Sequence, residues 1–118
     1  MRRAAFILFL LLALPALTDE VFRKDILPVL HKHCFNCHGK KKKKGDLRLD
    51  TLDPDIVHGT SAERWHDALN KINLGEMPPE KQPPLAVSER RKLTTWITQR
   101  LKLAAETRRN DLGQPVLR

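Results

Sequence analysis

Apolar residues fall along this chain in three stripes of helical period, separated by irregular polar stretches. Phe22, Ile26, Leu27, Val29 and Leu30 share one helix face, and Asp19 stands where it can cap a helix beginning near Glu20. Pro28 interrupts that stripe and removes a backbone donor, so a kink or a division into two turns is expected there. The second stripe is Trp65, Ala68, Leu69 and Ile72. Thr60 and Glu63 precede it at capping-box spacing, and Gly75 suits the position that ends it. The third is Leu93, Trp96, Ile97, Leu101 and Ala104, with Ser88 as its expected cap and Arg and Lys on its other side. Helices near residues 20–33, 61–74 and 88–105 are predicted, the last crossing the first with Trp96 near Phe22 or Ile26. From Arg108 the pattern has no period, which predicts a linker or the cut start of something further. The fold class is therefore all-α, with three main helices and irregular loops between them.

The first loop carries the most specific chemistry. Cys34-Phe35-Asn36-Cys37-His38 contains both cysteines of the chain and has the spacing of a c-type haem attachment site. Two thiols separated by two residues on a tight turn can each add to one vinyl group of the same porphyrin, and the next histidine can take the proximal position on the iron. Gly39 follows, where a close backbone path along the porphyrin edge favours a residue without Cβ. Three other uses of Cys-x-x-Cys are weaker. A thioredoxin-like pair requires a βαβ context that is lacking, and a zinc site requires two further ligands, whereas His58 and His66 stand eight apart. A disulfide closing so short a loop would be strained and would stabilise little.

A second chemically loaded stretch is Glu76-Met77-Pro78-Pro79. Met77 is the only methionine besides Met1. Its thioether can serve as the distal axial ligand, a choice that raises the potential of a haem. Pro78 biases Met77 toward extended backbone and Pro79 stiffens the next bond. The competing role for Met77 is to fill a hole under a turn. His58 and His66 are its rivals for the distal position, while His31 and His33 are expected at the surface. Lys40, Lys41, Lys42, Lys43 and Lys44 form an uninterrupted cationic run. Self-repulsion should extend it as a solvated loop, and beside an exposed haem edge it would also steer an acidic redox partner. In Asp46-Leu47-Arg48-Leu49-Asp50 the alternation puts Leu47 and Leu49 on one side, facing the pocket.

Length, charge and the leader narrow the setting. The chain has 118 residues, enough for one small domain, and only 5% of them are aromatic. Such a core is modest, and a covalent porphyrin would serve as a large apolar element within it. Met1-Arg2-Arg3 followed by the apolar run Ala4 to Leu17 has the form of a secretory signal, shorter than the ~20 residues of a membrane span. Residues 1–18 are therefore expected to be a signal peptide cleaved near 16–18, with an uncleaved anchor as the alternative. The formal net charge is +8; without Arg2 and Arg3 the chain keeps 20 basic against 14 acidic residues, or +6. Export and the scarcity of interleaved aromatics exclude nucleic acid as the partner of that charge.

Taken together, Phe22 with Ile26-Leu27-Pro28, Cys34 to Gly39, Gly45-Asp46-Leu47-Arg48-Leu49-Asp50-Thr51, Gly75 to Pro79 and Trp96-Ile97 resemble the planctomycete-type cytochrome c domain, a branch of the small monohaem cytochromes c. The resemblance spans about residues 21 to 104. It implies a small cytochrome c fold packed around one covalent haem c, with Cys34 and Cys37 as haem-linking residues, His38 as proximal ligand and Met77 as distal ligand. The expected organisation is a signal peptide at 1–18, a cytochrome c domain at 19–106 and a linker or truncated further domain at 107–118. The expected function is one-electron transfer in the periplasm or cell envelope, by a carrier and not a catalyst in its own right. Its partner would be an acidic redox protein or further domains of the same polypeptide, with no stable membrane span unless the signal is retained. The alternatives are a haem redox-enzyme module, peroxidase-like or feeding electrons within a larger oxidoreductase, and a haem ligand sensor.

Overall fold

The computed structural model describes residues 19–113; the expected signal peptide and residues 114–118 lie outside the described residues. The architecture is all-α, with no strand among the described residues beyond one isolated bridge between His38 and Lys43. Helix α1 has two parts, a π-helical turn over Phe22–Ile26 that runs directly into an α-helix over Leu27–His33. Helix α2 covers Ala62–Asn73 and helix α3 covers Val87–Asp111. A single 3₁₀ turn, Lys44–Asp46, interrupts the long connection between α1 and α2.

Pro28 divides α1, as its chemistry predicts, but without breaking it. The Leu27 N–H bonds to the Phe22 carbonyl, five residues back, so the backbone widens by one residue just before the proline. Pro28 then falls in the first turn of the α-helical part, where no donor is needed.

The caps of α2 and α3 differ from those expected. Ser61, not Thr60, is the N-cap of α2 and makes no side-chain cap. Its hydroxyl donates instead to the Asp53 carbonyl at 2.7 Å, and the Trp65 indole donates to the same oxygen at 2.8 Å. Asp53 is held in turn by an Asx turn, its Oδ1 accepting the Asp55 N–H at 2.9 Å. Thus a single carbonyl anchors the loop before α2 to the buried face of that helix. At α3 the N-cap is Ala86, not Ser88, and the Glu89 carboxylate reaches back to accept the Ala86 N–H at 3.0 Å. The helix also continues to Asp111, well past residue 105. Residues 108–113 are all exposed, so the last turns follow helix propensity and carry no apolar stripe for a pattern search to find. The expected linker at 107–118 therefore begins inside a helix.

Helix α3 packs on both α2 and the π-turn of α1. Trp96 is the hinge of that packing. Its ring centroid lies 5.2 Å from Phe22 and 5.3 Å from Trp65, the latter edge-on at 76°, so the expected contact with α1 is present. Ile26, Leu30, Ile56, Leu93 and Ile97 complete the fully buried set. Replacing Trp96 with Ala removes a partner from both aromatic contacts at once. We expect Trp96→Ala to lower unfolding free energy by about 3–5 kcal/mol, checked by denaturant titration followed by far-UV circular dichroism.

Candidate functional site

The end of α1 closes into a tight turn. Cys34 and Phe35 both donate their N–H groups to the Leu30 carbonyl, at 2.8 and 3.0 Å, and Cys37 and His38 both donate to the Cys34 carbonyl, at 3.2 and 2.9 Å. This turn keeps Cys34, Cys37 and His38 together at the wall of one cavity. Gly39 is required by the turn itself. A Cβ there would stand 2.2 Å from the Phe35 carbonyl oxygen.

His38 is fixed from three sides. Its backbone pairs with Lys43, its carbonyl accepts the Leu49 N–H at 2.8 Å, and its Nδ1 lies 3.3 Å from the Leu47 carbonyl. A carbonyl can only accept, so this contact selects the tautomer with its proton on Nδ1. The lone pair is then on Nε2, the atom left to bind a metal. Leu47 and Leu49 both line the cavity, as their alternation predicts. Between and beyond them Arg48 and Asp50 form a two-pronged pair at 3.1 and 2.6 Å, which holds the Asp50 carboxyl below its ordinary range.

Met77 reaches the same cavity from the end of α2. Gly75 takes φ +75° and donates to the Ile72 carbonyl, while Glu76 donates to the Lys71 carbonyl at 3.0 Å, the paired bonds of a Schellman motif. Met77 donates to that Lys71 carbonyl as well, at 3.2 Å, so the helix end sets the direction of its backbone. The Lys71 ammonium pairs with Glu76 across the turn. Pro78 and Pro79 follow Met77 on the cavity wall.

The rival histidines are elsewhere. His58 is exposed with Nδ1 3.3 Å from an Asp55 oxygen, and His66 is exposed beside Asn70; neither lines the cavity. His31 is exposed as expected, its ring edge-on to Phe35 at 5.8 Å. His33 differs from expectation. Its side chain is only 5% exposed, it lines the cavity, and its Nε2 lies 3.1 and 3.2 Å from the two oxygens of Glu89. The two residues are 56 positions apart, so no local pattern could announce the pair.

The cavity measures about 380 Å³, within the range of small-molecule and cofactor sites. Leu49, Ile72, Leu85 and Leu93 give it apolar walls, while Lys44, Arg64 and Lys71 put cations on its lining. Arg64, Asp67, Ala68 and Lys71 reach it from one face of α2, adjacent to the buried stripe. Of the lysine run only Lys44 lines the cavity. Lys40, Lys41, Lys42 and Lys43 are exposed, but the run is not extended: Gly39 donates to the Lys42 carbonyl at 2.8 Å and Lys44 to the Cys37 carbonyl at 3.0 Å. Backbone bonds, with Lys43 paired to Asp46 at 3.4 Å, override the repulsion.

Other uses of the cysteines fit poorly. Burial pushes the Cys34 thiol up to about 11, the opposite of what a redox-active Cys-x-x-Cys needs. No group of three or more His, Cys, Asp or Glu side chains placed to hold a metal ion occurs among the described residues, so the four ligands of a structural zinc are not assembled.

Residues 34–81 match the family model described as Planctomycete cytochrome C. This segment is similar to the planctomycete-type cytochrome c family. The cytochrome match begins at Cys34 and runs past Pro79, so it takes in every one of the four residues singled out as cofactor contacts. No curated protein and no solved structure matches the chain. Among the described residues, no helix is long and apolar enough to cross a membrane.

One acid-labile contact follows from the geometry around the cavity. The Ala86 N–H, then His33, hold the Glu89 carboxyl below its ordinary value of 4.5. A depressed carboxyl contributes stability that is complete above its unfolded value and is lost as pH falls through the folded one. Thermal midpoints measured from about pH 6 down to pH 3 should therefore fall less steeply in Glu89→Gln than in the unsubstituted chain.

Proposed function

We propose that this domain holds one covalent haem c through Cys34 and Cys37, with His38 and Met77 as its axial ligands, and carries single electrons outside the cytoplasm. The observation behind this reading is the convergence of Cys34, Cys37, His38 and Met77, from the ends of two different helices, on one apolar-walled cavity. The residues fit the group. Two thiols stand at the attachment spacing, an imidazole is tautomerically prepared by the Leu47 carbonyl, and the sole described thioether lines the same space.

When bound, the haem supplies a one-electron couple, and the chain's own residues tune it. Cys34 and Cys37 would hold the ring at the end of α1. The Leu47 carbonyl keeps the Nδ1 proton in place and so raises the basicity of Nε2. Leu49, Ile72 and Leu93 line the cavity and would shield the bound group from water, which with a thioether ligand would favour the reduced form. Two ligands from the chain leave no open position for a substrate, which supports a carrier over a catalyst or a gas sensor.

Protein matured in a haem-attaching periplasm should give the pyridine haemochrome spectrum of a covalent haem, and Cys34→Ser with Cys37→Ser should abolish it. Absence of that signal from the unsubstituted protein would sink the reading. On the same material Met77→Ala should lower the reduction potential and let carbon monoxide bind the ferrous iron; an unchanged potential would remove Met77 from the coordination sphere.

The partner we propose is acidic, either a separate redox protein or a further domain of the same polypeptide. Lys40, Lys41 and Lys42 are exposed on a closed turn whose neighbour Lys44 lines the cavity, so their charge is concentrated at its rim. Electron transfer with an acidic acceptor should slow steeply as salt rises from low to physiological strength, where screening shortens to ~8 Å. Lys-to-Gln changes at 40–42 should reduce both the rate and its salt dependence in stopped-flow measurements.

A further inference from the structure

The stretch that carries Met77 is tied at both ends to the first turn of α3. At its start, the Arg90 guanidinium donates to the Ile72 carbonyl at 2.6 Å, within the Schellman turn that aims Met77. At its end, the Glu89 carboxylate accepts the Ala86 N–H at 3.0 Å. Between these anchors run the four prolines 78, 79, 83 and 84, which limit how far slack can be taken up along the chain. Displacing the first turn of α3 therefore displaces the arm that holds Met77.

His33 ties that turn to the end of α1. Its ring is nearly fully buried, stands one residue before Cys34 and bonds both oxygens of Glu89. Lys32 adds a weaker, exposed contact to the same carboxylate at 3.7 Å. One carboxylate thus joins the segment bearing the two thiols to the segment bearing the thioether. These are the two sides of the cavity that the axial ligands would occupy.

We propose that His33 and Glu89 are positioning residues for the distal ligand, a strut that holds the Met77 arm at a fixed distance from the Cys34–His38 turn. The inference rests on the reading of Met77 as a haem ligand. It adds that the thioether bond depends on a pair of residues that do not contact the iron. Since a hydrogen bond to a charged group commonly shifts an equilibrium ten- to a hundred-fold, cutting the strut should populate an arm-open state without unfolding the helices.

The test uses the full chain with its haem attached and follows two signals on one sample: the thioether-to-ferric-iron charge-transfer band and far-UV circular dichroism. His33→Ala and Glu89→Ala should lose the band at a lower temperature than they lose helix, and their ferrous forms should take up carbon monoxide roughly tenfold faster than the unsubstituted protein. His33→Gln, whose amide can still donate to Glu89, should recover most of both properties. Three results would overturn the proposal. A band and carbon monoxide rate unchanged in His33→Ala would do so alone. Loss of band and helix together, with no recovery in His33→Gln, would make the pair merely structural. If the unsubstituted protein lacks the band and Met77→Ala behaves identically to it, the ligand reading itself fails, and this inference with it.

Discussion

A helix end leaves backbone donors or acceptors without partners, and in this molecule Cys34, Cys37, His38 and Met77 sit beside such ends. At the C-terminus of α1 the spare Leu30 carbonyl takes two N–H groups, and the turn this forms brings Cys34, Cys37 and His38 together. At the C-terminus of α2 the Lys71 carbonyl does the same, and Met77 is one of its two donors. At the N-terminus of α3 the spare donor is Ala86, and Glu89 answers it. The helix faces make the core, while the helix ends make the site. Roles are divided in that way because a stripe of leucines and tryptophans can bury area but cannot aim a sulfur or an imidazole.

The parts legible in the sequence were those written in local periodicity or in motif spacing. The three stripes located the helices, and Trp96 met Phe22 because both were the large residues on facing stripes. The Cys-x-x-Cys-His and Glu-Met-Pro-Pro pieces pointed to residues that line a common cavity. What escaped depended on partners far along the chain. Ser61 and Trp65 share the Asp53 carbonyl, which draws the Ser61 hydroxyl away from capping and leaves the Thr60–Glu63 signature unused. His33 is buried at a contact with Glu89, which arrives from α3. The cationic run folds back on itself because backbone bonds from Gly39 and Lys44 outweigh like-charge repulsion in a solvent-exposed turn. A signal did exist for α3, where the spacing of Ala86 to Glu89 is that of half a capping box, but Ser88 is the better-known cap and masked it.

Charge is arranged differently inside and around the cavity. Its apolar walls come from Leu47, Leu49, Ile72, Leu85 and Leu93, while Lys44, Arg64 and Lys71 are cations on its lining, with Asp67 the acid among them on α2. Lys71 is already engaged by Glu76, and Lys32 by Glu89, so part of the formal positive charge near the cavity is compensated within the chain. A bare count of lysines and arginines therefore overstates the field at the site.

The π-turn before Pro28 has a consequence for how the two halves of α1 are phased. A turn containing one extra residue rotates everything on its far side by roughly 100° about the helix axis. On an unbroken α-helix Phe22 would share the stripe of Ile26, Val29 and Leu30; here those three are buried while Phe22 is half-covered and meets Trp96 at a tilt of 41°. The wide turn thus gives the two halves of α1 separate bearings: Phe22 is turned toward Trp96 on α3, while Leu30 is buried and its carbonyl carries the Cys34 turn.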